Sequence, residues 1–338
     1  MNTKNNIIKY IINRLLLSIF VLLGVSLIMY FLIRLMPTSY LETQFLPQLS
    51  TGNMTEEDFY RILQLYGLHD NSFLGILKGY FSWLGNCLRG DLGVSFQEQQ
   101  PVANVIKDRM GISFGISFVA LILQVIIAIP LGIKCACNQY GKFDYTVTVI
   151  CMVLMAFPSF FIGNLLIKWF AVELGWFETG GLVSSGMPVD ASWWERLIDM
   201  AHHLVLPMIV LVVLSIGGLM RYTRTNTLEV LNADFIRTAR AKGLSENKVV
   251  YKHVFRNTLI PLVTQLAFTL PSLFGGAMIT EDVFNIPGIG QTAYKALSVG
   301  DIPLAMGYNM FIAVLTVLGI LLADIMYAVV DPRVKLGS

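Results

Sequence analysis

Six long apolar runs, separated by polar segments, dominate the pattern of hydrophobic and polar residues along the chain. Each run is close to the roughly 20 residues that an α-helix needs to cross the hydrocarbon core of a bilayer. Every run contains glycine or proline, which membrane helices tolerate when neighbouring helices satisfy the freed backbone groups. The pattern predicts an all-α membrane protein with six transmembrane helices, at about residues 11–35, 112–135, 145–170, 204–220, 262–279 and 308–330.

The charge of the connecting segments predicts which ends of these helices face the cytoplasm. Lysine and arginine are concentrated in the N-terminal tail, the turn at 134–142, the segment 221–256 and the tail at 333–335, which all fall on one side of a six-span arrangement. Acidic residues are concentrated in the segment 173–203, on the opposite side. Because basic loops remain in the cytoplasm, we expect both termini of this multi-pass protein to be cytoplasmic.

The composition excludes a soluble enzyme with a buried globular core. The chain is 55% hydrophobic and 14% charged, whereas soluble domains have about 25% charged residues. The sequence contains no glycine-rich phosphate-binding loop of the Walker type, and its apolar runs contain no His–Ser or paired-carboxylate set. Its cysteines and histidines lack the spacing of metal ligands. We therefore expect no catalytic residue, no resident cofactor and no metal in this chain.

A long polar segment, residues 36–107, lies on the outer side in this topology. Loops longer than about 15 residues are usually structured or functional. Residues 56–66 and 73–88 have apolar side chains at helical spacing, which predicts a small extracellular helical segment. The expected domains are residues 1–107 (first span and extracellular segment), 108–332 (a core of five spans with a cytoplasmic loop at 221–261) and 333–338 (a cytoplasmic tail).

The most basic stretch of the chain, residues 221–261, contains eight lysines and arginines but only three acidic residues. We expect two short helices in it. Asn232 or Asp234 would cap the first helix. Gly243 would end that helix in a left-handed conformation, and Ser245 would cap the second. The second helix combines a basic stripe with a neighbouring apolar face, formed by Lys248, Lys252 and Arg256 and by Val249, Val250, Val254 and Phe255.

Three interpretations fit this basic stretch. A DNA-binding helix-turn-helix also has two helices around a turn, but the apolar runs on both sides leave no room for a DNA-binding domain. An ordinary basic loop on the cytoplasmic side explains the charge but not the succession of helix, glycine and helix. A docking loop presented to a soluble partner explains both features, and we favour it.

The sequence RTARAKGLSENKVVYKHVFRNTLIP, residues 237–261, resembles the coupling loop of ABC importer permeases, in particular those of the oligopeptide, dipeptide and nickel uptake group. In that family the loop forms a short coupling helix that lies in a groove of the ATPase. The general motif begins with Glu-Ala-Ala, whereas this chain has Arg237, Thr238 and Ala239, so a salt bridge from that glutamate is not carried over. The residues that match the coupling motif are Ala239, Arg240, Ala241, Lys242, Gly243 and Leu244.

Three further stretches carry the resemblance. Residues 90–102, GDLGVSFQEQQPV, are similar to the family's GDLG-S…PV stretch, and DIMYAVVDPR at 324–333 is similar to its closing tail. Residues 283–290, VFNIPGIG, are similar to a turn near the family's outer gate. The same glycines fit a dinucleotide-binding fingerprint, which we reject because no βαβ unit surrounds them. The resemblance gives four candidate gate residues, Asn285, Pro287, Gly288 and Gly290.

The resemblance implies an architecture and a function. The architecture is the six-helix type I ABC importer permease of a bacterial cell membrane. The function is that of a transmembrane subunit in an ATP-driven importer, forming half of the translocation path for peptides. Import of nickel or a metal chelate through the same architecture stays open, because a separate binding protein performs most of the recognition. The implied partners are a second homologous permease, two ATP-binding subunits that would bind the ATP, an extracellular substrate-binding lipoprotein and membrane lipid, without nucleic acid.

Three polar residues interrupt the apolar runs. Gln124 and Gln265 either face the translocation path or form a hydrogen bond with another helix. An ionisable residue at membrane depth, such as Asp324, indicates a function by default, but a structural hydrogen bond or ion pair explains it equally well.

Overall fold

The computed structural model describes residues 2–34, 46–47, 49–52, 55–65, 70 and 72–330. Within these ranges the chain is helical, and its only β pairing is an isolated bridge between Val94 and Pro101. The predicted all-α class is therefore confirmed, while the predicted tail at 333–338 lies outside the described residues. The helices are α1 (Asn2–Arg34), α2 (Glu56–Leu65), α3 (Phe73–Leu88), α4 (Val102–Cys137), α5 (Lys142–Met155), α6 (Ser159–Leu166), α7 (Trp193–Leu231), α8 (Asp234–Ala241), α9 (Glu246–Lys248), α10 (Phe255–Gly275), α11 (Met278–Val283), α12 (Ile289–Val299) and α13 (Ile302–Val330). π-Helical segments extend α6 through Ile167–Glu173 and join α9 to α10 through Val249–Val254.

Five membrane-spanning candidates in the described part of the chain are long and apolar enough to cross a bilayer: α1, α4, α7, α10 together with α11, and α13. They correspond to five of the predicted spans. The remaining span, predicted as one helix at 145–170, is instead α5 and α6, which meet at a bend of 94°. Pro158 explains the break, because its ring removes a hydrogen-bond donor and collides with the preceding turn.

Two spans extend far beyond the apolar runs that predicted them. Helix α4 has 36 residues and α7 has 39, or roughly 54 and 58 Å at 1.5 Å per residue, against about 30 Å of hydrocarbon core. A capping box starts α7, because Ser192 Oγ accepts from the Glu195 N–H at 3.3 Å and the Glu195 carboxylate accepts from the Ser192 N–H at 2.8 Å. At its other end, α7 includes residues 221–231, which were predicted as loop.

Successive layers of apolar contacts accompany α7 along its length. Leu206 and Val210 pack in one cluster with Phe284 and Ile286. Leu219 and Met220 pack in a second cluster with α4, α5 and α10. Val230 and Leu231 border a third cluster, which lies within residues 236–254. Leu206 and Leu231 are roughly 38 Å apart at 1.5 Å per residue. The turn near Phe284 and the basic stretch therefore lie at opposite ends of the bundle.

The two helices predicted in the segment 36–107 are present as α2 and α3, and α3 packs on the first span. Tyr30 of α1 contacts Tyr80 and Trp83 of α3, with ring centroids 5.7 and 5.8 Å apart. Helix α1 also packs against α13. The remaining surface of α1 exposes leucine, isoleucine and phenylalanine side chains, as a face directed at lipid does.

Candidate functional site

The basic hairpin, as we name residues 234–254, consists of α8, a turn at Gly243 and the helical segment that leads into α10. Gly243 has a φ of +75°, which confirms the predicted left-handed residue. The Leu244 N–H then donates to the Ala239 carbonyl at 3.4 Å, and the Gly243 N–H donates to the Arg240 carbonyl at 2.9 Å. These bonds satisfy carbonyl groups that the end of α8 leaves free.

The predicted cap of the first short helix is wrong, and that of the second is confirmed in position only. Ala233 holds the N-cap position of α8, because Asn232 is already the C-cap residue of the longer α7. Asp234 lies in the first turn of α8, where a negative charge is favourable. Ser245 is at the N-cap position of α9, but its hydroxyl forms no capping hydrogen bond within the described residues.

The inner face of the basic hairpin is apolar. Ile236 and Ala239 of α8 are buried against Val249 and Val254. Val249 and Val254 are five residues apart, the spacing that a π-helical turn brings to one face. Ala239 is therefore small because it packs within the hairpin itself. Of the six predicted coupling residues, Ala239 is buried and Leu244 half-buried, whereas the exposed residues are Arg240, Ala241, Lys242 and Gly243.

An ion pair that the sequence did not predict spans the turn at Gly243. The guanidinium of Arg240 donates to both carboxylate oxygens of Glu246, at 2.8 and 3.2 Å. Both side chains are exposed, so water screens the pair and its contribution to stability is below about 1 kcal/mol. Its two-point geometry nevertheless fixes the orientation of α8 relative to α9.

The outer face of the basic hairpin presents aromatic and basic side chains. Phe235 is 47% exposed and Tyr251 is 72% exposed. The three residues of the predicted basic stripe, Lys248, Lys252 and Arg256, are all exposed as well. Large aromatic side chains and arginine are the residue types that contribute most at protein interfaces. Phe235 and Tyr251 were missed by the sequence reasoning, although their polar neighbours at helical spacing could have indicated them.

An open groove of about 860 Å³ lies between the basic hairpin and the nearby end of α4. Ile133 and Lys134 line it from α4, and Val250 and Phe255 line it from the hairpin side. The Lys134 ammonium lies 4.5 Å from the ring centroid of Phe143, a cation–π contact. An open groove thus separates the basic hairpin from the end of α4.

A partly buried ion pair connects two helices of the bundle next to the basic hairpin. Arg224 of α7 donates two hydrogen bonds to the carboxylate of Asp144 in α5, both at 2.7 Å. The Tyr140 N–H donates to the same carboxylate at 2.9 Å. Asp144 is buried, so removing either partner would leave an uncompensated charge. The pair fixes α5 to α7 ten residues before the start of the hairpin.

The glycine turn, as we name residues 276–291, lies at the opposite end of α7 and is organised around Glu281. This carboxylate is 1% exposed. It accepts hydrogen bonds from the Ala277 N–H at 3.1 Å and from the Gln291 N–H at 3.0 Å. Ser113 of α4 adds a third link, because its hydroxyl accepts from the Ile289 N–H at 2.8 Å. The sequence reasoning missed both Glu281 and Ser113.

The four predicted gate residues all lie in this turn. Asn285 has a φ of +48°, and its side-chain oxygen accepts from the Gln291 amide at 3.0 Å. The Pro287 carbonyl accepts from the Arg109 guanidinium at 3.3 Å. Gly288 and Gly290 lie against the Glu281 carboxylate, where a Cβ atom would overlap it. The structure thus brings the four residues together and supplies a buried acid that explains the glycines.

The stretch at 90–102 packs beside the same end of the bundle. Asp301, fully buried before α13, accepts from the Ser95 hydroxyl at 2.6 Å and from the Gln97 N–H at 3.0 Å. The Val102 N–H donates to the Gly93 carbonyl at 3.0 Å. This loop therefore attaches the segment that carries α2 and α3 to α13.

Residues 128–336 match the protein family described as binding-protein-dependent transport system inner membrane component. This chain belongs to that family. The permease resembles the oligopeptide transport system permease protein AppB of Bacillus subtilis, with 38% identity over 327 residues that cover 96% of this chain and 99% of the relative. It also resembles the oligopeptide transport system permease protein OppB of Mycobacterium bovis, with 34% identity over 268 residues that cover 78% of this chain and 81% of the relative.

The fold of the permease is similar to a chain of the MetNI methionine ABC transporter solved in inward-facing conformations. In two crystal forms the TM-scores are 0.53 and 0.50, at 19% identity, and the likeness covers 67% of this chain and 96% of that chain. This confirms the predicted permease fold. Membership of the family makes the chain a multi-pass inner-membrane transport component, which is not itself an ATPase and which works with an ATPase and a binding protein.

Proposed function

We propose that this permease is one transmembrane subunit of an ATP-driven importer for peptides and forms half of its translocation path. The observation that carries the proposal is the 38% identity with an oligopeptide permease along 96% of the chain. The basic hairpin adds support, because an exposed surface with basic and aromatic side chains is suited to binding a soluble subunit. No ATP or other cofactor is bound by this chain in the proposal, since the partner subunits bind the ATP.

The proposed machine contains a second homologous permease, two ATP-binding subunits and an extracellular substrate-binding lipoprotein. The permease lies in membrane lipid with both termini in the cytoplasm, and nucleic acid takes no part. This orientation places the basic hairpin on the cytoplasmic side and the glycine turn on the outer side. Ala239 to Leu244 form the ATPase-coupling segment, and Asn285, Pro287, Gly288 and Gly290 form the outer gate.

The coupling mechanism follows from the connections of the hairpin. Closure of the ATPase dimer moves α8, which is only two residues from α7 and is packed on the π-helical segment that leads into α10. Helix α7 carries the movement through the bilayer to Val210, which packs with Phe284 of the glycine turn. A rigid helix with discrete packing at both ends can transmit such a movement as one body.

The test is reconstitution of the permease with the products of its neighbouring genes in proteoliposomes. We expect ATP-dependent uptake of a radiolabelled tetrapeptide, with ATPase activity stimulated by the loaded binding protein. Uptake of nickel without uptake of peptides would contradict the peptide assignment. As a control, the same complex with an ATPase subunit inactivated in its Walker lysine should bind the binding protein but not transport.

A further inference from the structure

A second groove, open on one side, begins at residues 277–280 of the glycine turn and continues along the middle of α7. It has a volume of about 340 Å³ and is bounded by the start of α6, the middle of α7 and the junction of α10 with α11. Two helix breaks flank it, the 94° bend at 156–158 and the break at Gly276, which has a φ of +70°. Irregular backbone at membrane depth persists only where it is buried in protein or lines a water-filled cavity.

One side of the groove, at Ser215, lies near the expected middle of the bilayer. The groove contacts α7 from Val210 to Ser215. Ser215 is roughly 14 Å from Arg224 along the helix axis at 1.5 Å per residue, and Arg224 belongs to the polar layer next to the basic hairpin. That distance is half of the roughly 30 Å hydrocarbon core. The groove therefore extends from the glycine turn to a point near mid-membrane at Ser215.

Three hydroxyl groups in the groove have no hydrogen-bond partner among the residues that the structure describes. They belong to Ser159 at the start of α6, Ser215 of α7 and Thr280 of α11. Thr280 is 5% exposed as a whole residue, and its surface toward the groove contributes to the lining. The first turn of α6 also has no side-chain cap within the described part of the chain, so its leading N–H groups remain available as donors.

The polar glutamine near this groove is already bonded. The Gln124 amide of α4 donates to the Ser215 carbonyl at 2.9 Å, so Gln124 bonds another helix, one of the two alternatives that the sequence left open. This bond fixes α4 to α7 beside the groove. It leaves the Ser215 hydroxyl free to contact a solute.

The remaining walls of the groove are apolar, with Val210, Leu214 and Met278 among them, and no charged side chain from the described residues lines it. A ligand that fits such walls has neutral hydrogen-bonding groups at short, regular intervals and needs no counter-charge. A peptide main chain has these properties whatever its side chains are.

We propose that this groove is a subsite for the main chain of the peptide in transit, with the hydroxyls of Ser159, Ser215 and Thr280 as its hydrogen-bonding contacts. The inference rests on the proposed peptide import and adds the residues that meet the cargo inside the membrane. The absence of charged lining makes the subsite indifferent to the side chains of the peptide, which leaves selection to the binding protein.

The first experiment is disulfide cross-linking in the complete importer. Ser215→Cys is placed in a permease without native cysteines, and a tetrapeptide that contains cysteine is delivered by the binding protein under mild oxidation with copper phenanthroline. We expect a link between residue 215 and the peptide that an excess of tetraalanine prevents. Thr316→Cys is the matched control, because Thr316 is exposed on α13, and it should remain unlinked. Cross-links from residue 215 only to the second permease, or reaction only with a lipid-borne thiol reagent, would refute the subsite.

The second experiment measures uptake after removal of one hydroxyl. Thr280→Val and Ser215→Ala should each lower the uptake of tetraalanine and of a lysine-containing tetrapeptide by the same factor, about 2- to 10-fold for a lost neutral hydrogen bond. Thr316→Val is the control, because the Thr316 hydroxyl is already bonded to the Ile312 carbonyl at 2.8 Å, and it should change uptake less than twofold. Membrane levels are measured for each variant.

The outcomes separate the two proposals. If the parental complex takes up no peptide, the proposed function is refuted. If the parental complex transports peptides, while both hydroxyl variants transport at its rate and residue 215 never links to the peptide, only the subsite is refuted. An effect of Thr280→Val confined to one of the two tetrapeptides would also refute it, because a main-chain contact cannot depend on the side chains.

Discussion

Glycine serves opposite purposes at the two ends of this permease. At the basic hairpin, Gly243 has a φ of +75°, and a Cβ atom there would meet nothing within 4 Å among the described residues. At the glycine turn, Gly288 has an ordinary φ of −90°, but a Cβ atom would come within 2.6 Å of the Glu281 carboxylate carbon. The hairpin requires glycine for its backbone conformation, and the turn requires it for space.

The surroundings of the two glycines explain this difference. The ion pair beside Gly243, between Arg240 and Glu246, is exposed to water. The acid beside Gly288, Glu281, is fully enclosed and is held by backbone N–H groups. A docking surface stays open until its partner arrives, whereas a closed turn must satisfy its polar groups internally. Under the proposed function, similarly short glycine-containing motifs serve a partner site in one place and a prearranged turn in the other.

The largest expected difference between the two ends is their accessibility from outside the cell. A cysteine in place of Ser185, in the loop before α7, should react with an impermeant maleimide in intact cells, and one in place of Asn247 should not, because the two exposed positions lie at opposite ends of α7. Both variants are made in a protein without native cysteines, so that only the introduced thiol can react. Of the native thiols, that of Cys87 would react slowly near neutral pH in any case, because burial raises its pKa to about 12. The reverse labelling pattern would overturn the proposed orientation.

The next largest effect should follow from removing the buried acid. Glu281→Ala leaves the Ala277 and Gln291 N–H groups without their acceptor, each at a cost of about 1–3 kcal/mol, and opens a cavity as well. We expect a loss of stability on the order of 3 kcal/mol, measured as a lower midpoint of thermal unfolding in lipid nanodiscs. Glu281→Gln is the matched control, because it keeps the volume and one acceptor oxygen. Equal midpoints for Glu281→Ala and the parent would contradict the role assigned to this carboxylate.

Adding a methyl group to the glycine turn should lower the stability less than Glu281→Ala does. Gly288→Ala places a Cβ atom against Glu281 and Ser113, and overpacking of this kind costs about 1–3 kcal/mol. Gly243→Ala is the comparison at the other end, where only the backbone conformation opposes the change. If Gly288→Ala lowers the unfolding midpoint less than Gly243→Ala does, the glycine turn does not require glycine for space.

At the basic hairpin, the larger effect should be on coupling. Gly243→Val has to adopt a left-handed conformation that costs about 1–2 kcal/mol for an L-residue, so α8 should tilt while the spans remain inserted. Ala241→Trp adds bulk at an exposed position that we assign to the ATPase contact. Both variants should reach normal membrane levels but lose peptide uptake and substrate-stimulated ATPase activity in the reconstituted complex.

Gly243→Asn is the control for this experiment, because asparagine adopts the left-handed region more readily than a β-branched residue, and it should retain most of the uptake. Transport at the parental rate by both Gly243→Val and Ala241→Trp would show that this loop is not the coupling element.

The smallest effect should come from the exposed ion pair. Arg240→Gln should change the unfolding midpoint little, because an exposed pair contributes about 0.2–1 kcal/mol. The exchange Arg240→Glu with Glu246→Arg should preserve the pair and the ATPase coupling, whereas Arg240→Glu alone should weaken coupling, most strongly at low salt. The measurement is ATPase stimulation as a function of ionic strength. Equal stimulation in all three variants would remove this ion pair from the mechanism.

The sequence by itself determined the features that depend on neighbouring residues. Apolar runs located the spans, because the length of a helix that crosses a bilayer is set by the bilayer. The short helices around Gly243 could be predicted because the backbone preference of glycine acts locally, whereas the side-chain caps depended on where α7 ends. The matching motifs indicated the family for the same reason, since they are continuous stretches such as residues 237–261.

Only the tertiary structure decided which polar groups are enclosed and what they contact. Ser95 and Asp301 are 206 residues apart in the chain, and Ser113 and Ile289 are 176 apart, yet both pairs form buried hydrogen bonds. Periodicity and local preference do not reach across such separations. Ala239 likewise reads as a partner-facing residue until its packing against Val249 and Val254 is known. Burial in this permease results from the packing of helices that are distant in sequence. That packing encloses Glu281 and makes its carboxylate the acceptor around which the glycine turn is organised.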